Sequence, residues 1–144
     1  MQQLELAGAL LVLGGAISFL LGALSGFSLD RWMRANVGKA RHKYRMIVHK
    51  EALWSSFLCF AIAGWVDVIP LPVELRVALA AAIILTGWGA IGQYHFVVRS
   101  GITDAYAQAA PRPVRLLGAA AMAGNLLALL LLLAGGTLAL LNAI

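Results

Sequence analysis

The sequence has few charged residues for its length. Lys, Arg, Asp and Glu make up 12% of the 144 residues, whereas 62% are hydrophobic. An ordinary soluble domain has about a quarter charged residues and about half apolar ones. So few charged side chains cannot cover the surface of a soluble domain. The composition therefore excludes a soluble enzyme or binding domain and predicts an integral membrane protein with a single domain over residues 1–144.

The sequence also lacks the common motifs of several enzyme classes. A single cysteine, Cys59, excludes an internal disulfide and a CxxC redox or zinc site, and its apolar neighbours predict a small buried core residue. There is no Ser-His-Asp set, HExxH zinc site or phosphate loop. The stretch Gly87-Trp-Gly89-Ala-Ile-Gly92 matches GxGxxG, but it lies within an apolar run. It therefore predicts no nucleotide site, because that fingerprint must connect a strand to a helix.

Four apolar stretches are present, at about residues 6–27, 46–66, 75–98 and 116–141. Each reaches or exceeds the roughly 20 residues that an α-helix needs to cross a bilayer. Pro70 and Pro72 separate the second stretch from the third, because proline interrupts a continuous helix. The expected fold is all-α, with four transmembrane helices in an antiparallel bundle. Gly22 and Gly26 form a GxxxG pattern that predicts close helix packing, within the bundle or between subunits.

The basic residues are unevenly distributed. The net charge is +5, and ten of the eleven Lys and Arg residues lie in two groups, from Arg31 to Lys50 and from Arg99 to Arg115. Arg76 is the exception. This distribution is typical of membrane topology and not of nucleic-acid binding. It predicts a multi-pass membrane protein with loops 28–45 and 99–115 cytoplasmic, both termini outside and no nucleic-acid partner. We expect the membrane to be a bacterial inner (cytoplasmic) membrane.

Two ionisable residues, His49 and Glu51, lie where the second apolar stretch begins. A charged or polar group at such a depth is costly, so it is usually retained for binding, catalysis or a partner. His49 lies 21 residues before Pro70, and Tyr94 lies 22 residues after Pro72. At about 1.5 Å per residue the two arms of this hairpin are equally long, which predicts that His49 and Tyr94 lie at the same level. Gln93 and His95 are expected at that level too.

The faces of the two helices suggest a planar ligand. At 100° per residue, His49 shares one side of the second helix with Arg45, and Tyr94 shares one side of the third with Gly87 and Ala90. We expect His49 to face this stripe of small residues. The space there suits a flat cofactor, with Arg45 placed to meet its acidic groups.

Several polar residues have other possible roles. His49 could instead bond to a backbone carbonyl, and His42 and His95 are expected to be solvated or structural. We expect Glu51 to form an ion pair with a nearby lysine or with a neighbouring chain. Asn125, within the fourth stretch, could serve helix–helix hydrogen bonding or contact a substrate.

The segment from about residue 32 to 96 resembles the small four-helix membrane isomerases, namely the styrene oxide isomerases and the related hydroxylaminobenzene mutases. The resemblance rests on a histidine at the head of helix two and, 45 residues later, the tyrosine of Gly87-Trp-Gly-Ala-Ile-Gly-Gln-Tyr94. His49-x-Glu51 also resembles the His-x-Glu pair of the mutases. The resemblance implies a homotrimer that holds ferric haem b between subunits, with His49 as axial ligand. Where the family has Asn, six residues after the histidine, this chain has Ser55.

The resemblance also implies an activity. The iron would act as a Lewis acid on an apolar aryl epoxide taken from the membrane lipid, and the product would be an aryl acetaldehyde. Tyr94 and Ser55 are the candidate catalytic residues, and Arg45 and Lys50 are candidates for the haem propionates from their charge and depth. One alternative is a mutase that rearranges aryl hydroxylamines. Others are a non-enzymatic membrane subunit, a small transporter, and a haem electron carrier with His95 as second ligand.

Overall fold

A computed structural model describes residues 6–36, 43–101 and 110–143, which form four long α-helices. These are α1 (Leu6–Ala35), α2 (Lys43–Ala63), α3 (Val73–Ser100) and α4 (Arg112–Asn142), with a short 3₁₀ turn at Val66–Val68. No strand occurs in the described ranges. All four helices are long and apolar enough to cross a membrane. The prediction of an all-α, four-helix membrane protein is therefore confirmed.

The helices run past the predicted spans at most of their ends. α1 continues beyond the apolar stretch to Ala35, and an ion pair of 2.9 Å between Arg34 Nε and Asp30 Oδ2 supports its last turns. α3 begins directly after Pro72 and ends at Gly101, whose φ of 66° closes the helix in the left-handed conformation. Hydropathy identifies the part of a helix that lies in hydrocarbon, whereas the helix itself ends where backbone hydrogen bonding ends.

Helices that follow one another in sequence pack antiparallel. Gly22 of α1 lies against Leu53 of α2, Gly87 of α3 against Ser55, and Gly118 of α4 against Gln93. α1 also packs along α3. In contrast, α4 contacts only α3 among the described helices, and α2 and α4 do not touch. The fold is therefore a three-helix core with α4 attached to one side, which leaves an open cleft between α2 and α4.

Apolar clusters of buried residues hold the bundle together, and two of them lie at its opposite ends. One includes the fully buried Leu11, Leu79, Val66 and Cys59, so the prediction that Cys59 is a buried core residue is confirmed. The other cluster includes Tyr44 and lies at what we call the basic end of the bundle, where α1 and α3 end and α2 and α4 begin. The charged residues near this end include Arg34, Lys43, Arg99, Arg112 and Arg115.

Candidate functional site

The His49 imidazole packs against α1. Its Nδ1 lies 2.9 Å from the main-chain oxygen of Gly22. A Cβ placed on Gly26 would come within 2.9 Å of His49 Cε1, so the imidazole occupies the space that a side chain would take. The two glycines of the GxxxG pattern thus bring α1 close to α2 within one chain. The pattern predicted close packing either within the bundle or between subunits, and the structure shows the packing within the bundle.

The expectation that His49 faces the small residues of α3 was wrong. Gly87 lies instead against Ser55, where an added methyl group would overlap the Ser55 hydroxyl. Helical periodicity relates residues on one helix, but it does not fix how that helix is rotated against two neighbours. Here α1 takes the side of α2 that carries His49. The alternative of a histidine bonded to a backbone carbonyl is what the structure shows.

Tyr94 lies at the level of His49 but on another side of α2. Its ring stacks on that of Tyr44, with ring centroids 5.8 Å apart. It also packs against the cluster of Val48, Ala52 and Ile91. Since Val48 directly precedes His49, the predicted common level of His49 and Tyr94 is confirmed. The helix α2 nevertheless separates the two side chains.

The cleft between α2 and α4 holds the largest cavity that we describe, with a volume of ≈ 990 Å³. Ser55, Tyr94 and the small residues Gly87 and Ala90 line it, so the stripe on α3 faces a cavity as expected. His49 does not line this cavity. The remaining lining residues are Glu51, Trp54, Phe57, Leu58, Ile83, Thr86, Gln93, Arg115, Gly118, Ala119, Ala121, Met122 and Asn125.

Three polar side chains of this cavity, those of Glu51, Arg115 and Asn125, have no side-chain partner among the described residues. Neither Glu51 nor Arg115 forms an ion pair or side-chain hydrogen bond with any described residue, so the expected pairing of Glu51 with a nearby lysine is not found. Asn125 likewise has no side-chain hydrogen bond within the described ranges, and its side chain faces the cavity. A helix–helix hydrogen bond of Asn125 is therefore not found among the described residues of one chain, which leaves a helix of a neighbouring subunit and a ligand as the alternatives.

Ser55 belongs to a hydrogen-bonded group that connects three helices. Its Oγ lies 3.4 Å from Ser18 Oγ of α1, and Trp88 of α3 donates a hydrogen bond of 3.1 Å to that same Ser18 oxygen. Sequence reasoning missed Ser18. The signal that could have found it is a hydroxyl in the middle of a long apolar stretch, which Ser18 shares only with Ser25, since a buried hydroxyl needs a partner.

The remaining candidates lie around His49 or outside the described residues. The Arg45 guanidinium donates to Ser28 Oγ at 3.4 Å and lies 5.7 Å from the ring centre of Trp32, while its buried Nε has no hydrogen bond to a described residue. Lys50 is exposed on the outer side of α2, and His95 is exposed on α3. His42 lies outside the described residues. The structure therefore places Arg45 and His49 on the side of α1, and Ser55 and Tyr94 in the cavity.

The donor atoms of His49 are suited to hold a haem iron. No group of three or more His, Cys, Asp and Glu side chains is close enough to hold a metal in the described parts of the chain. A haem iron, however, needs one protein ligand. When Nδ1–H of His49 donates to the Gly22 oxygen, Nε2 carries the lone pair that binds a metal. The unpartnered Nε of Arg45 adds a donor suited to a propionate.

Comparison with protein-family models, with curated proteins and with solved structures found no match to this chain. The interpretation of the site therefore depends on its own geometry. That geometry has two parts: an oriented histidine on the α1 side of α2 and a ligand-sized cavity on the opposite side.

Proposed function

We propose that this protein is a haem-dependent membrane isomerase that converts aryl epoxides to aryl acetaldehydes. In this proposal it is a homotrimer in a bacterial inner membrane, with its basic end in the cytoplasm. The observation that carries the proposal is the hydrogen bond between His49 Nδ1 and the Gly22 oxygen. It fixes the tautomer and the orientation of the imidazole, as partners of metal-bound histidines generally do.

The separation of His49 from the cavity supports the proposed trimer. Within one chain, α2 lies between His49 and the cavity that contains Tyr94 and Ser55. His49 is only half-buried beside α1, so a haem that it held at this edge of one subunit would meet the cavity of a neighbouring subunit if the edge and the cavity face each other around a ring. A closed ring of heterologous contacts is the arrangement that joins two different faces of one protomer.

The side chains of the cavity can hold and orient an apolar aryl substrate. Trp54, Phe57 and Leu58 provide apolar walls that exclude water. The Tyr94 hydroxyl would donate a hydrogen bond to the substrate oxygen, while the hydroxyl of Ser55 is shared with Ser18. Ferric haem, when bound, supplies a Lewis acid that polarises the epoxide oxygen.

The reaction needs no other reactant. The bond between the benzylic carbon and oxygen breaks, and a hydride moves from the neighbouring carbon to the benzylic carbon. The oxygen stays on the neighbouring carbon as the aldehyde oxygen. No atom or electron enters or leaves, so the cavity has to exclude water and hold the ring in place.

Absorption spectroscopy of the detergent-purified protein tests the proposal. We expect a Soret band that is lost in His49→Ala with the oligomer intact, because the only axial ligand is gone. His95→Ala is the matched control and should keep the band, while Tyr94→Phe should keep the haem and lower turnover. A colourless preparation would contradict the isomerase and favour a non-enzymatic membrane subunit. A six-coordinate low-spin spectrum that His95→Ala abolishes would favour an electron carrier.

A second candidate function is a mutase that rearranges aryl hydroxylamines to aminophenols. The observation that favours it is Glu51, whose carboxylate lines the same cavity as Tyr94 and has no partner among the described residues. A carboxylate can accept the hydrogen bonds of an N–H or O–H group, which an epoxide lacks. Supplying styrene oxide and phenylhydroxylamine separately, and measuring which one is consumed, decides between the two functions.

A further inference from the structure

The α2–α4 cleft carries opposite charges that the proposed isomerase does not use. Glu51 on α2 and Arg115 on α4 both line it, and neither has an ion pair or side-chain hydrogen bond to a described residue. Glu51 is half-buried and Arg115 is exposed at the basic end, so both charges can be reached by a molecule bound in the cleft. A ligand that meets both of them carries an anion for Arg115 and a cation for Glu51.

The positions of the two charges match one end of an amphiphile. Arg115 lies in the first turns of α4, at the basic end, and Gly118 beyond it packs against Gln93. Glu51 follows the first two turns of α2, so it lies at the same end but somewhat deeper. From Arg115 to Asn125 the cavity follows α4 for about 15 Å, at about 1.5 Å per residue. Along that length the walls are mainly apolar.

The cleft is open in the direction in which a lipid would enter. The backbones of α2 and α4 stay apart, and α3 is the only described helix that α4 packs along, so the described residues leave this side uncovered. Trp54 and Phe57 are 70% and 65% exposed along its edge. The volume of ≈ 990 Å³ is at the top of the range of about 300–1,000 Å³ for small-molecule sites, so a single-ring substrate would fill only part of it.

We propose that the α2–α4 cleft binds a phospholipid whose headgroup carries both a phosphate and a primary ammonium. Arg115 donates hydrogen bonds to the phosphate, and the Glu51 carboxylate accepts them from the ammonium. Both are charge-assisted hydrogen bonds, which are about twice as strong as neutral ones. An acyl chain lies along Trp54, Phe57 and Met122. The cavity is the one that the proposed function gives to the substrate, but lipid binding there requires neither haem nor catalysis.

Native mass spectrometry of the full chain in detergent tests the proposal. The protein is mixed with phosphatidylethanolamine, with phosphatidylcholine, whose ammonium has no N–H, or with phosphatidylglycerol, which has no ammonium. We expect phosphatidylethanolamine to be retained about tenfold more than either of the others. Glu51→Gln should remove this preference, and Arg115→Gln should lower the retention of all three lipids. Arg112→Gln, one turn away on the same helix and outside the cavity, should change nothing.

A second pair of variants tests the cleft without changing any charge, so that an effect of charge alone can be told apart from loss of the site. Ala119→Trp should fill the cleft and prevent lipid retention, whereas Ala123→Trp, on the same helix but not lining the cavity, should not. Circular dichroism and the oligomer mass show that each variant is folded. Equal retention of the three lipids, no retention at all, or a preference for phosphatidylglycerol would overturn the proposal. Each of those results would leave the haem spectrum, and so the proposed function, untouched.

Discussion

The two sides of α2 differ in how closely a neighbouring helix approaches. On one side α1 packs with glycine against it, so that the imidazole of His49 rests on Gly26 and bonds to Gly22. On the other side α4 stands away, and a cavity of ≈ 990 Å³ separates the two helices. The first side can hold a side chain rigidly, whereas the second can admit a ligand.

This difference follows from where small residues face each other. In a bilayer, helices associate through close van der Waals packing and not through the hydrophobic effect. Gly15, Gly22 and Gly26 of α1 all meet side chains of α2. Two glycines of α4, Gly118 and Gly124, meet α3 instead, and Gly135 meets Ile69 and Leu71 of the segment before α3. Among the described helices, α4 therefore packs along α3 alone. The other sides of α4 are left for lipid, ligand or a neighbouring subunit.

The largest expected effect is on the closely packed side. We expect Gly26→Leu to lower the free energy of unfolding by about 1–3 kcal/mol, because its side chain must displace the His49 ring from α1. Denaturation of the detergent-solubilised protein by SDS, followed by circular dichroism, measures this loss. Gly136→Leu is the matched control, since nothing lies within 4 Å of a Cβ at that position. Equal losses in the two variants would show that the two sides of α2 do not differ as described.

A smaller effect is expected where Ser55 meets Gly87, between the packed core and the cavity. Gly87→Ala should cost about 1–2 kcal/mol, because the methyl group would overlap the Ser55 side chain. Ser55→Gly removes the overlapping atoms and should recover part of that loss. A double-mutant cycle measures the coupling, which we expect to be about 1 kcal/mol or more. Strict additivity of the two changes would contradict this contact.

The smallest expected effect concerns the hydroxyl that links α1 to α3. Ser18→Ala should cost about 1 kcal/mol, because it removes the acceptor of the Trp88 indole N–H. The coupling of Ser18→Ala with Trp88→Phe should be of similar size in the same SDS assay. Thr137→Ala is the control, since that hydroxyl bonds only to Leu133 of its own helix. No coupling between positions 18 and 88 would contradict the hydrogen bond.

The sequence predicted the parts of the site that depend on one helix or one hairpin. Equal arms around Pro70 and Pro72 put His49 and Tyr94 at one level, and the stripe with Gly87 and Ala90 faces a cavity. The predicted direction of the His49 side chain was wrong, because α1 and not α3 packs against that side of α2. The partners of Ser18 could not be predicted, since Trp88 is far away in sequence and no periodicity relates the two.

The number of spans, their order and the level of each polar residue were determined by the sequence alone. These are properties of single helices, set by apolar length, by proline and by the rise per residue. The tertiary structure decided which neighbour each face of α2 meets: α1 against His49, α3 against Ser55, and an open cleft beside Glu51. The physical reason is that helix rotation in a membrane depends on which small residues on different helices can approach most closely, and hydropathy does not report this.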